Sequence, residues 1–341
     1  MKFFSNVKLS VKLPLILVAI SIFALTIMGV SAYRSASAIL AVQSTETLEQ
    51  SLQGQARQIQ DWADQVEANL RATAANAATA RALRDFSAAW RRLGDDAPAY
   101  LEKTFQTKNP YPAEERYKLE FSGDVNDYSI QHRSFHPGIV VQNAQWGYDD
   151  FFLISPDGRV LYSMAKGQEF AQDLLGESAA SPLKALVRSA SEAEAPSLHV
   201  SEFSVADGTA GGGLFALMPV TVTDGRLLGF VAIRAAGQQI TQILDAGGAG
   251  EGVAYIADNK GRVRAGQLET PNVDLNGNAA IGLALRGEAG TRQAVGAMGE
   301  QAMLAYRPMQ LFGADLALVA EVPTAQVFAP ARKLAGEMAF H

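Results

Sequence analysis

The spacing of apolar and charged side chains divides the chain into three regimes. Residues 13–33 carry no charge, and Ser21, Thr26, Ser31 and Tyr33 are their only polar side chains. At 1.5 Å rise per residue, a helix of that length covers the roughly 30 Å of hydrocarbon in a bilayer, whereas a core helix would keep a polar face. The pattern predicts a transmembrane helix. Lys2, Lys8 and Lys12 precede it and only Arg34 follows closely, so the positive-inside rule puts residues 1–12 in the cytoplasm and the remainder outside. A cleaved signal peptide, processed near Ser35, Ala36, Ser37 and Ala38, is the competing reading. The apolar run is longer than the usual h-region of about 7–15 residues, which favours an uncleaved anchor.

The second regime is helical. Leu48, Leu52, Ile59, Trp62, Val66, Leu70 and Ala77 recur at steps of three, four or seven, with Glu46, Glu49, Asp61, Asp64 and Glu67 between them. One apolar stripe on a long helix follows, running from residue 35 to about 84 and packed on its own domain, with a coiled-coil-like homodimer contact near the membrane. Residues 87–146 are less regular. Asn109-Pro110-Tyr111-Pro112 and Ser122-Gly123-Asp124 read as turns, and Pro137 reads as the end of a helical piece that contains His132 and His136.

From Tyr148 the period changes to two. Residues 151–154 form an apolar run closed by Pro156-Asp157-Gly158, and 159–164 alternate; this is a β-hairpin. A helix over 182–193 and strands over 198–203, 214–222 and 227–235 complete an antiparallel sheet with helices on one side, an α+β arrangement. The pattern then recurs. A strand at 253–257, a turn at Asp258-Asn259-Lys260-Gly261 and a return strand at 262–264 precede a further pair at 301–308 and 316–322. Both hairpins place an Asp and a Gly in the turn and open the return strand with Arg-Val, which points to an internal duplication at a spacing of about 100 residues. Residues 247–252 read as the hinge between the two units, and 325–340 as a closing helix. The expected domain plan is 1–12 cytoplasmic, 13–33 transmembrane, 34–147 long helix and helical segment, 148–246 distal unit, 247–324 proximal unit, and 325–341 leading toward a second transmembrane segment.

Composition narrows the function. A net charge of −6 gives no electrostatic case for nucleic acid. Zero cysteine removes disulfides, thiol nucleophiles and zinc-thiolate sites together. No G-x-S-x-G elbow, P-loop or H-E-x-x-H is present, so no catalytic residues and no cofactor are expected. His132 and His136 stand four apart, as in helical metal sites, but the sequence places no third ligand. A small-molecule pocket needs an apolar lining with a few orienting polar groups. Tyr128, His132, Tyr148, Asp149, Asp150, Tyr162, Ser163 and Lys166 supply these beside Trp146 and Phe203. Asp149 or Asp150 suits a ligand amine, and Lys166 a carboxylate. The ordinary alternatives are that Asp150 caps a turn, Tyr162 packs in the core, and Lys166 pairs with Glu169.

The stretch Tyr128-Ser129-Ile130-Gln131-His132-Arg133-Ser134-Phe135-His136-Pro137, continued by Tyr148-Asp149-Asp150-Phe151-Phe152-Leu153-Ile154 and Val160-Leu161-Tyr162-Ser163-Met164-Ala165-Lys166, resembles one subset of the double Cache sensor modules of bacterial methyl-accepting chemotaxis proteins and related transmembrane receptors. The chain departs from that subset at Gly167-Gln168, where a Glu usually follows the Lys, and in the Gly-rich run at 206–213. The resemblance implies two tandem PAS-like antiparallel-sheet units after the long helix. It also implies a small ligand of the amino acid, amine or organic acid class bound in the membrane-distal unit, and a sensor in the periplasm on a bacterial inner membrane. Receptor nucleotide cyclases, histidine kinases and, from a different class, a membrane-anchored metal-dependent hydrolase are the alternatives.

Overall fold

The computed structural model describes residues 9–176, 181–202, 213–247, 252–268 and 275–340. Helix α1 (Leu9–Ala75) runs without a break from the apolar segment into the domain. Its first part is the one helix among the described residues long and apolar enough to cross a membrane, and Ile16, Ile20 and Phe23 stand exposed there. Farther along, most of the expected stripe is buried: Leu48, Leu52 and Ile59 enter one core and Val66 and Leu70 another, with Trp62 partly buried against both. The stripe stops short of its expected end. Asn76 accepts a bond from the Ala78 amide and starts a second helix, α2 (Ala77–Leu93), leaving Ala77 exposed.

The irregular stretch resolves into α3 (Ala97–Glu102), a π turn, a short 3-10 turn and α4 (Asp127–Trp146). Pro137 does not end α4 as expected. The helix continues nine residues past it, because Ile139 and Asn143 are buried against the distal unit; tertiary packing outweighs the one backbone bond that proline removes.

The distal unit follows: β1 (Asp150–Ile154), β2 (Val160–Ser163), α5 (Pro182–Glu192), β3 (His199–Val200), β4 (Gly213–Thr221) and β5 (Leu227–Ala236). Helix α6 (Gly237–Ala246) leads into the proximal unit. That unit comprises β6 (Val253–Ala257), β7 (Val263–Gly266), α7 (Ala279–Leu285), β8 (Gly290–Val295), β9 (Gln301–Leu311) and β10 (Ala314–Pro323), and α8 (Thr324–Val327) and α9 (Ala329–Phe340) close the chain. The sheet orders are β2-β1-β5-β4-β3 and β7-β6-β10-β9-β8, which is one topology used twice. The likeness extends to single bonds. Both hairpins bulge one residue before the turn, at Leu153/Ile154 and Ile256/Ala257. In each turn a left-handed glycine, Gly158 or Gly261, donates its amide to the carbonyl three residues back, a conformation that favours glycine.

Each sheet is covered on both faces. The inner face of the distal sheet packs through Phe151, Leu153, Met218 and Val231 against α1, α2 and α4, and its outer face through Phe152, Phe215 and Phe230 against Leu183, Leu186 and Val187 of α5. The proximal sheet repeats this layering, with α1 inside and Ala280, Ile281 and Ala284 of α7 outside. Since the proximal core takes the part of α1 nearer the apolar segment, the two units stand in series along that helix.

Candidate functional site

The two faces of the distal sheet separate the residues that the sequence groups together. On the inner side, Tyr128, His132, Tyr162 and Lys166 are all 0% exposed. Helix α4 puts His132 and His136 on one face four residues apart, and their rings stack at 4.4 Å. Hydrogen bonds fix their tautomers. His136 Nε2 lies 2.6 Å from the Tyr117 carbonyl and must donate, leaving Nδ1 to accept from the Tyr162 hydroxyl at 2.5 Å. His132 Nδ1 donates to the Glu120 carbonyl at 2.9 Å, and its Nε2 is buried with no partner. The Lys166 ammonium points into this cluster, donating to the Met164 carbonyl at 3.1 Å and lying 3.4 Å from His136 Nδ1. Tyr128 sends its hydroxyl to the Leu161 carbonyl at 2.8 Å.

Electrostatics follow from that burial. Desolvation, then the field of Asp150 against it, leaves the Lys166 amine lowered to about 7. Desolvation and the Lys166 charge lower His136 to about 3 and push His132 well below the usual imidazole range. No described carboxylate lies within ion-pair distance of Lys166, so the expected alternative of a Glu169 partner is not what the geometry shows. Its side chains are fully buried, and they line neither the cleft of about 420 Å³ beside α7 nor the one of about 350 Å³ beside Arg264.

The outer face carries different chemistry. Cross-strand register places Asp150 opposite Arg234, Arg234 opposite Phe215, and Phe152 opposite Ser163, so Asp150, Ser163 and Arg234 share the outer side at one end of the sheet. The Asp150 carboxylate takes the amides of Phe151 at 2.7 Å and Ala165 at 2.8 Å and the Ser163 hydroxyl at 2.7 Å. Ser163 Oγ in turn accepts from the Lys166 amide at 2.8 Å. These bonds hold the turn after β2, where Lys166 has φ 55° and its carbonyl receives Gln106 Nε2 at 3.1 Å. Burial drives the Asp150 carboxyl up to about 6, against the pull of these donors and of Arg234.

Around this point the acids gather. Asp149 faces Arg234 at 3.5 Å with both side chains part-exposed, and burial raises its pKa while Arg234 opposes. Glu169 is buried and accepts from Ser181 at 3.2 Å. The rings of Trp146 and Tyr148 lie 5.7 Å apart, tilted by 51°, and Tyr148 is tied to α1 by a bond from Asn69 at 3.0 Å. Phe203 lies outside the described residues. Arg234 and Glu169 stand beside these residues although the sequence alone does not single them out as candidates. Arg234 shares its strand phase with the buried Phe230 and Ala232, so alternation gives no signal for it.

The repeat offers an internal comparison. Ile154 pairs with Phe230 as Ala257 pairs with Ala317, so Glu321 occupies in the proximal unit the position of Arg234 in the distal one. Glu321 is closed off by its own chain: it takes the Ala297 amide at 2.9 Å and the Tyr255 hydroxyl at 3.3 Å. A Cβ on Gly296 would meet its carboxylate at 2.7 Å.

No family model and no curated protein sequence matches the chain. Solved structures similar to it include an extracellular ligand binding receptor from Desulfohalobium retbaense, at a TM-score of 0.41 and 14% identity over 69% of this chain and 39% of that one. This chain thus spans about two-fifths of that receptor's length. Another is the periplasmic sensory domain of the Campylobacter jejuni chemoreceptor Tlp1, at 0.41 and 11% identity over 78% of this chain and 96% of that one. A third is the ligand binding domain of the Pseudomonas aeruginosa amino acid chemoreceptor PctB in complex with L-Gln, at 0.40 and 15% identity over 73% of this chain and 97% of that one.

Proposed function

We propose that the chain is the ligand-binding sensory region of a transmembrane receptor, in the first instance a chemoreceptor. It detects a small molecule outside the inner membrane, passes a conformational signal across it, and carries out no chemistry of its own. The observation that supports this reading best is α1. One unbroken helix joins a lipid-length apolar segment to the cores of both units, so any ligand that prefers one packing of the distal sheet biases the position of the helix at the membrane.

The ligand site in this proposal is the polar end of the outer distal face. Asp149, Asp150 and Glu169 form the acidic side, Arg234 the basic one, and Ser163 orients Asp150. Such a pairing suits an amino acid or an amine-bearing acid, with the amine on the carboxylates and the carboxylate on Arg234. The proximal unit, whose equivalent position is filled by Glu321 and the Ala297 amide, does not repeat this site and relays its signal. Two copies associate through the membrane-near part of α1.

The test is a melting screen of the full chain in detergent micelles against amino acids, amines and organic acids. A ligand at 100 times its dissociation constant adds about 2.7 kcal/mol. The proposal expects at least one compound to raise the midpoint and expects that rise to vanish in Asp150→Asn and Arg234→Gln. A rise that survives both substitutions refutes the site, and no rise across the library refutes direct sensing.

A further inference from the structure

Between the two units lies a cleft of about 350 Å³. Its floor is apolar, made of Leu214 from the distal unit and Leu311 and Leu316 from the proximal one, and its polar wall holds Arg264, Asp258 and Glu202. Arg264 is a built group. Its side chain is 9% exposed, and Asp258 Oδ2 receives its Nε at 2.9 Å and its Nη2 at 2.7 Å. Asp258 is itself fixed by the β6–β7 turn, because its Oδ1 takes the amides of Lys260 at 2.8 Å and Arg262 at 2.9 Å. The turn therefore presents a buried, oriented guanidinium to the cleft.

Glu202 meets this guanidinium in a different manner. Its carboxylate sits 3.5 Å from Arg264 Nη2 while 84% exposed. A pair of that kind keeps most of its hydration and contributes little. Among the described residues it is also the ion pair that joins the distal unit to the proximal one. The facing wall is the β9–β10 hairpin tip. There Phe312, at φ 51°, sets its ring 5.9 Å from Trp62 of α1 and packs against both inner cores. A group entering the cleft touches a contact between the units on one side and a wedge against α1 on the other.

We propose that this cleft is a carboxylate-binding site in which Arg264 is the anchor and Glu202 an internal placeholder, and that a small carboxylate displaces Glu202 and releases the tie between the units. The consequence for signalling rests on the sensor reading above; the binding itself does not. Its chemistry is set by what it replaces. The Glu202 side chain beyond Cα is a propionate, so propionate is the minimal competitor and propionamide its uncharged control. As a tethered competitor, Glu202 acts at an effective concentration on the order of millimolar, and because its pair with Arg264 is weak, its removal should tighten the site about three-fold.

The experiment is saturation-transfer NMR of propionate with the full chain in detergent micelles at constant ionic strength. Saturable binding is expected in the parent, with a dissociation constant about three-fold lower in Glu202→Gln, and none in Arg264→Gln or with propionamide. Glu202 is exposed and its replacement removes no buried contact, so the Glu202→Gln arm decides the matter even if Arg264→Gln folds poorly. Binding no tighter in Glu202→Gln than in the parent overturns the proposal, as does equal binding of propionamide. Arg234→Gln is run in parallel: binding that it abolishes belongs to the outer distal face and overturns the cleft assignment. Binding that it leaves intact supports the cleft whether or not the distal site proves to be a sensor.

Discussion

Lys166 carries a large desolvation cost in the fold. A fully buried ammonium beside two stacked imidazoles pays its desolvation in the charged state only, and that lowers its amine to about 7 from the ordinary 10.5. The unfolded chain therefore binds more protons than the folded one between pH 7 and 10.5, and stability rises with pH across that window. Below pH 7 the cost is present in full, on the order of 5 kcal/mol. Lys166→Met should be more stable than the parent at pH 6, with the advantage shrinking toward pH 10; urea midpoints at pH 6, 8 and 10 test this, and parallel profiles would contradict it. Asp150 acts with the opposite sign. Its raised carboxyl, at about 6, costs stability as pH climbs from 3.8 to 6, so Asp150→Asn should flatten that part of the profile. The sequence showed which residue types cluster near the first hairpin but not which face each one serves. Lys166 sits past the end of β2 at a positive φ, and there strand alternation no longer says where a side chain points.

Among the elements, those with a strong period were legible and those without one were not. The hairpins of β1–β2 and β6–β7 were readable from alternation and turn chemistry. Strand β8 was not, because it is a sheet edge whose Arg292, Gln293 and Val295 are exposed and whose pattern carries no buried phase. Helix α4 was cut short at Pro137 because local propensity cannot see Ile139 buried against the distal unit. Two substitutions probe elements directly. Gly229 in β5 has φ 146°, and a Cβ there would lie 2.3 Å from the Ile154 carbonyl. Gly229→Ala should cost on the order of 3 kcal/mol, read as a lowered urea midpoint. Asn76→Ala removes the cap between α1 and α2 and should cost about 1 kcal/mol; a change within error would show that tertiary contacts, not the cap, set that boundary.

At the scale of the whole molecule, two copies of one sheet topology share a single helix, and the relay proposed above requires that they be coupled tightly through it. Phe312 and Trp62 meet where both inner cores touch α1. Removing that contact with Phe312→Ala should broaden or split thermal unfolding, with the calorimetric enthalpy exceeding the van't Hoff value. The central claim is that ligand at the distal sheet moves α1 against α9 where both lead toward the membrane. The chain has no cysteine, so spin labels can be placed at exposed Val42 on α1 and Lys333 on α9 without background. The decisive measurement is the distance between them in the full chain in nanodiscs, with and without the compound that the melting screen selects. The account predicts a shift of about 1–2 Å that disappears in Arg234→Gln. An unchanged distance with the ligand bound would contradict it.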